Sequence, residues 1–99
     1  MIESPEIDDF LIAEPTASAF DIIRQRRRTW LTTRGASQTS GPETASVFNE
    51  GVFLGDITVL RGIDLASLRR LEYLEPRVAG ARYGRSYPVT RGAILVQYR

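Results

Sequence analysis

The chain has 99 residues, of which 42% are hydrophobic, and a net charge of +1. This length and composition are typical of one small globular domain and exclude a disordered chain. The sequence contains no Cys and no His. This excludes a disulfide framework, a Cys nucleophile and the side chain that most often serves as general base or transition-metal ligand.

Two further features of the composition concern charge and location. All 13 basic residues are Arg. Either a coding bias or selection for bidentate anion binding explains this composition. No run approaches the roughly 20 apolar residues that span a bilayer, and the first residues are acidic where a signal peptide would be basic. The chain is therefore expected to be cytoplasmic, or to be a mature or truncated form.

The first 14 residues form an acidic segment with five acidic residues and no basic one. Residues 1–9 are expected to be a flexible arm because charged residues dominate them. Residues 10–13 form a short apolar run before Pro15, and we expect them to lie on the domain as an edge strand. The domain itself is predicted to span residues 15–99.

The next segment has the signals of an amphipathic helix over about residues 17–31. Thr16 or Ser18 can cap this helix, and Asp21 follows Ser18 by three residues, as in a capping box. We expect Gly35 to end the helix. The apolar stripe of the helix is formed by Phe20, Ile23, Trp30 and Leu31.

Residues 24–28 read Arg-Gln-Arg-Arg-Arg and contain the candidate binding residues. Arg24, Arg27 and Arg28 can share one side of the helix and contact an anion or a protein partner. Arg27 also lies on the apolar stripe, where its stem would pack on the core and its head would meet a nearby carboxylate. A solvated helix face explains the same residues. Nucleic-acid binding is a further alternative, although no recognised nucleic-acid module surrounds the run.

The middle of the chain predicts a loop, a hairpin and a helical turn. Residues 36–44 are poor in hydrophobic residues and form the loop. Asn49-Glu50-Gly51 separates two apolar runs, near residues 46–49 and 51–54, as in a tight β-hairpin. Asp64 is expected to cap the helical turn that follows.

The C-terminal third predicts two strands joined by a short helix. Apolar and charged residues alternate over residues 69–74, the pattern of a strand with one covered face. Residues 78–83 are rich in small residues and form a short helix that ends at Gly84. Residues 92–98 contain a compact apolar run that is typical of a closing strand.

Together these elements predict a small α+β domain. One mixed sheet of about four strands is crossed by the main amphipathic helix, and short helical turns complete the domain. The predicted core contains Phe20, Ile23, Trp30, Leu71, Ile94 and Val96.

Three C-terminal motifs resemble a known family. Residues 69–74 read Arg-x-Leu-Glu-Tyr-Leu, residues 79–84 read Ala-x-Ala-Arg-Tyr-Gly, and residues 92–96 read Gly-Ala-Ile-Leu-Val. In this order they resemble the end of the plug domain of TonB-dependent outer-membrane receptors. Residues 46–52 are similar to a hairpin of that domain, and residues 19–31 to the first helix of small plug-like proteins that lack a barrel.

The sequence also departs from the family pattern. Glu75-Pro76 stands where the family usually has Arg-Gly-Pro, and Arg91-Gly92 replaces the usual glycine pair. Residues 10–13 match the energy-coupling box of the receptors poorly, and no barrel follows. The resemblance therefore implies the fold and a location at the outer membrane or in the periplasm, but not transport.

Candidate catalytic groups are few. Ser86-Tyr87 lacks a His or Lys partner, and the glycines form no phosphate loop. We therefore expect a non-catalytic module without cofactor or metal, acting through protein contacts as a periplasmic or outer-membrane-associated accessory protein. The alternative is a cytoplasmic Arg-rich adaptor that binds nucleic acid or another anion.

Overall fold

The structure is a computed structural model that describes residues 1–31, 45–83 and 92–99. Within these residues the main elements, in chain order, are α1 (Ser4–Ala13), α2 (Ala19–Arg26), β1 (Ser46–Asn49), β2 (Val52–Gly55), β3 (Leu68–Leu74), α3 (Pro76–Tyr83) and β4 (Ala93–Tyr98). Short 3-10 helices lie at Arg28–Leu31, Ile57–Gly62 and Leu65–Ser67. The predicted helix end at Gly35, the loop over 36–44 and the helix stop at Gly84 lie outside the described residues.

The four strands form one sheet in the order β2-β1-β4-β3, so the predicted α+β fold is confirmed. β1 and β4 are parallel, whereas the other two pairs are antiparallel. The turn between β1 and β2 contains Glu50 and Gly51, with φ angles of 50° and 85°. Positive φ at both central residues is typical of the tight type I′ hairpin turn. The hairpin predicted at these residues is therefore confirmed.

The N-terminal segment is a helix, and the predictions of a flexible arm over residues 1–9 and an edge strand over 10–13 are wrong. Ile7 and Phe10, three residues apart on one side of α1, are both buried. Ile2 is also buried, and its backbone N–H and C=O exchange hydrogen bonds of 2.8 and 2.9 Å with Leu71 of β3. Burial of these apolar side chains packs the acidic segment against the rest of the domain.

α2 begins with the capping box predicted at Ser18. The Ser18 hydroxyl accepts a hydrogen bond from the Asp21 backbone N–H, and the Asp21 carboxylate accepts one of 2.9 Å from the Ser18 backbone N–H. The predicted helix is too long, however. The backbone of Arg27 leaves the helical conformation, with φ −139° and ψ 52°, and the chain continues as the 3-10 helix Arg28–Leu31.

The main hydrophobic core lies between α1, α2 and one face of the sheet. Trp30 is buried there and stacks on Tyr73, with ring centroids 5.7 Å apart. Phe20 is only partly buried at the edge of the core, and the Arg61 guanidinium lies 4.0 Å from its ring centroid. The other predicted core residues are buried: Ile23, Leu71, Ile94 and Val96.

A smaller cluster lies on the opposite face of the sheet, where α3 packs. The Tyr83 ring stacks on Phe48 at a centroid distance of 4.1 Å. Gly92, just before β4, has a φ of 95°. A Cβ atom at this position would lie 2.6 Å from the backbone oxygen of Leu74 and 2.7 Å from the Tyr73 hydroxyl oxygen. Glycine therefore meets both a conformational and a steric requirement here.

Two aspartates precede 3-10 helices, and only one of them caps through its side chain. Asp64 lies at the predicted position, but its carboxylate forms no capping hydrogen bond, so this part of the prediction is wrong. The Ser67 hydroxyl donates instead to the Asp64 backbone oxygen at 2.6 Å. Asp56 does cap, because its carboxylate accepts the Thr58 backbone N–H at 2.9 Å.

Candidate functional site

The arginines that the sequence singles out have different environments. Arg27 is held by Glu6 of α1 through two hydrogen bonds, Nη2 to Oε1 at 2.9 Å and Nη1 to Oε2 at 3.2 Å. Its Nη1 also donates to the Arg26 backbone oxygen at 2.9 Å. Arg27 therefore joins two elements within the domain.

The other arginines of the run stay closer to solvent. Arg26, which was not among the candidates, lies 3.5 Å from Glu6 and 3.6 Å from Asp9. Arg24 is exposed and lies 3.9 Å from the Asp21 carboxylate. Arg28 is exposed and forms no ion pair with the described residues. The acidic segment thus neutralises part of the basic run, and Arg24 and Arg28 remain available for an external anion.

The outer edge of β3 is already occupied by the N-terminal residues. Ile2 pairs with Leu71 as an isolated antiparallel bridge. The Ser4 hydroxyl donates to the Arg69 backbone oxygen at 3.0 Å. These contacts occupy part of the outer edge of β3, because backbone groups paired in this way cannot receive another strand.

The opposite edge of the sheet is formed by β2, which pairs only with β1 among the described strands. Three successive apolar residues of β2 are exposed: Val52 by 61%, Phe53 by 39% and Leu54 by 36%. The sequence pattern predicted the strand near residues 51–54 but not the exposure of its side chains. The run of three apolar residues was the available signal, because a strand with one covered face would alternate apolar and polar residues.

Carboxylates lie at both ends of this apolar strand. Glu50 is exposed in the turn before β2, and Asp56 follows its last residue. Hydrogen bonds from the Thr58 hydroxyl and backbone N–H hold the pKa of Asp56 below its ordinary value. Asp56 is therefore ionised at neutral pH, and the edge strand is apolar in the middle with negative charge at its ends.

A cleft opens on the sheet face that carries α3. It has a volume of about 150 Å³ and, within the described residues, is lined by Glu50, Arg70, Glu72, Tyr83, Leu95, Val96 and Gln97. Metal binding has no support in the described part of the chain, where no group of three or more Asp or Glu residues is placed to hold an ion. The cleft thus combines carboxylates, one arginine, one aromatic ring and an apolar floor.

The fold and these surfaces define a small α+β domain in which Ile2 pairs with one edge strand of the sheet and, among the described strands, the other edge strand pairs with β1 alone. A scan against models of known protein families, a search of curated proteins and a search of solved structures find no match. None of the helices over residues 1–31, 45–83 and 92–99 is long and apolar enough to cross a bilayer. The resemblance to the plug domain therefore rests only on the sequence motifs at residues 69–74, 79–84 and 92–96.

Proposed function

We propose that this domain is a non-catalytic binding module that adds an extended segment of a protein partner to the edge of β2. The observation that carries the proposal is the exposure of Val52 and Leu54 on β2, which pairs with β1 alone among the described strands. Edge strands with apolar side chains are templates for a further strand, and proteins that do not use them usually protect them with charge, proline or a covering segment.

The charges around β2 specify the chemistry of the partner. Glu50 and Asp56 lie on either side of the apolar residues. A partner segment with apolar residues in its centre and basic residues at its ends would match both features. Backbone hydrogen bonds would supply affinity, and side-chain contacts with Val52 and Leu54 would supply selectivity.

A second copy of this chain matches the edge less well. If β2 paired with itself in antiparallel fashion about Phe53, Glu50 of one copy would lie opposite Asp56 of the other. Like charges directly opposite each other in a sheet are destabilising. The charge pattern thus favours a different protein over self-association.

The plug-domain resemblance supports the location of this module. We infer an accessory protein of the periplasm or outer membrane in a Gram-negative bacterium, because the family acts there. Fractionation of cells that express the tagged protein tests this inference. Recovery in the envelope or periplasmic fraction is expected, and recovery in the cytosol alone would favour the Arg-rich adaptor instead.

The binding site is tested with a labelled peptide of sequence Arg-Val-Thr-Val-Thr-Arg and the full chain. We expect saturable binding by fluorescence anisotropy. The Val52→Lys variant should weaken it by about tenfold or more, because it places a positive charge beside the basic peptide, a loss of about 1.4 kcal/mol. The matched control is Val78→Lys, since Val78 is an exposed valine outside the sheet, on α3.

Three results would contradict the proposal. Equal loss in the Val52→Lys and Val78→Lys variants would show that binding does not depend on the sheet edge. If a peptide with glutamate at both ends bound equally well, the charges of Glu50 and Asp56 would not select the partner. A concentration-dependent dimer that Val52→Lys abolishes, measured by sedimentation, would assign the edge to a second copy.

A further inference from the structure

Arg61, which the sequence does not single out, is a cation held in position beside α2. It lies near the end of the 3-10 helix Ile57–Gly62, which packs against α2. The guanidinium carbon of Arg61 lies 4.0 Å from the centroid of the Phe20 ring. Phe20 packs against the main core, so the rest of the domain holds this ring in place. Attraction between the cation and the ring face therefore orients the Arg61 guanidinium, although the residue is exposed.

The N–H donors of Arg61 have no internal acceptor in the described part of the chain. Its guanidinium forms no hydrogen bond and no ion pair with residues 1–31, 45–83 or 92–99. A guanidinium carries five N–H donors in a planar fork. Because the contact with Phe20 is made over the ring, it uses none of these donors, and they can bind an external oxygen acceptor.

A second arginine lies next to the same ring. Arg24 follows Phe20 by four residues within α2, so the two side chains are neighbours on one face of the helix. Arg24 Nη2 lies 3.9 Å from Asp21 Oδ1, whereas the Oδ2 atom of Asp21 accepts the Ser18 backbone N–H at 2.9 Å. The exposed Asp64, whose backbone pairs with Ser18, forms no ion pair with Arg24. Arg24 therefore has one loose internal contact and offers its other donors to an external anion.

The charge and shape of this pair of donors select among anions. A carboxylate has one negative charge and two oxygens, which a single guanidinium satisfies. A phosphate monoester carries a charge of about −1.5 to −2 at neutral pH and three strong acceptor oxygens, so it can accept from two guanidiniums at once. From this arrangement we infer that Arg24 and Arg61, on either side of Phe20 in sequence and both beside its ring, bind the phosphate group of a monoester.

The experiment uses the full chain labelled with ¹⁵N and the probe methyl phosphate at constant ionic strength. At pH 7.5 we expect saturable chemical-shift changes at the backbone amides of Phe20, Arg24 and Arg61. The affinity should fall at pH 5.0, because a phosphate monoester with a second pKa of about 6 is then mostly a monoanion. Sulfate, a dianion at both pH values, should bind equally at both. Dimethyl phosphate, a monoanion like the phosphates of DNA and RNA, should bind more weakly.

Substitutions test the role of each residue. Arg61→Gln should raise the Kd of methyl phosphate about fivefold or more, because a charge-assisted hydrogen bond is lost. Phe20→Leu should also weaken binding, since Arg61 loses the ring that positions it, whereas Phe20→Tyr keeps the ring and should bind normally. The matched control is Arg77→Gln, because Arg77 is exposed on α3, which packs on the opposite face of the sheet. The ¹⁵N spectrum of each variant shows whether it is folded.

Several results would overturn the inference: no saturable change, equal effects of Arg61→Gln and Arg77→Gln, or the same Kd for methyl phosphate at both pH values. Tighter binding of acetate than of methyl phosphate would overturn the assignment to phosphate. A short peptide with one phosphoserine distinguishes the source of the group. Tighter binding of this peptide than of methyl phosphate would identify a phosphorylated protein segment, and equal binding would identify a small phosphate ester.

Discussion

Arg27 and Glu6 form a two-point ion pair across 21 residues of sequence, with Arg27 Nη2 2.9 Å from Glu6 Oε1. The two side chains are 31% and 24% exposed, so the pair is partly shielded from water. It links α1 to the residue at which α2 ends. Glu6 is therefore the carboxylate that meets the Arg27 head, a contact that the sequence predicts without indicating which carboxylate supplies it.

Glu6→Gln should lower the free energy of unfolding by about 1–2 kcal/mol, because a charge-assisted, partly shielded contact is lost while the side-chain size is kept. Urea denaturation measures this change. The control is Asp8→Asn, which affects the more exposed pair between Asp8 and Arg99 and should cost no more than about 0.5 kcal/mol. Equal effects of the two variants would show that Glu6 contributes no more than a solvated surface charge.

The chain should show no measurable binding to short DNA or RNA at physiological salt. Arg27 is held by Glu6, so Arg24 and Arg28 are the candidates that remain for phosphates. Two or three phosphate contacts give weak binding with a shallow salt dependence. Fluorescence anisotropy with labelled oligonucleotides checks this expectation. Micromolar affinity that falls steeply with salt, and is lost in a variant with Arg24→Ala and Arg28→Ala, would support the adaptor hypothesis instead.

Trp30→Ala should destabilise the domain by about 3–5 kcal/mol, because it removes a large buried side chain and its stacking contact with Tyr73. That loss is comparable to the whole stability of many small domains. Denaturant melts measure it, and Trp30→Phe, which keeps an aromatic ring, should cost less. A change of no more than about 1 kcal/mol in Trp30→Ala would contradict the packing of this residue and indicate a surface that awaits a partner.

Gly92→Ala should destabilise the domain by about 2 kcal/mol or more, since the new Cβ would meet the Leu74 backbone at a positive φ. Gly80→Ala is the matched control. Gly80 lies within α3, and a Cβ there would meet no atom within 4 Å. This variant should stabilise the domain by about 0.5–1 kcal/mol, because alanine favours the helix and restricts the unfolded chain. Thermal melts that rank the two variants in the opposite order would contradict the backbone geometry at Gly92.

Local patterns in the sequence determined most of the secondary structure. Alternation predicted β3, the Asn49-Glu50-Gly51 turn predicted the hairpin, and Ser18 with Asp21 predicted the start of α2. These features depend on residues that are neighbours in the chain. Their geometry follows from backbone preferences and from short-range hydrogen bonds, so a single sequence is sufficient to read them.

The tertiary structure determined which of these elements contact each other and which of their residues stay exposed. Glu6 becomes the partner of Arg27 only because α1 packs beside α2, and an acidic segment read alone gives no sign of this contact. The position of β2 at one end of the strand order depends on the parallel pairing of β1 with β4, which joins residues more than 40 positions apart. Long-range pairing and burial are properties of the assembled core, so the exposed residues of β2 and the cleft beside α3 form only once the chain is folded.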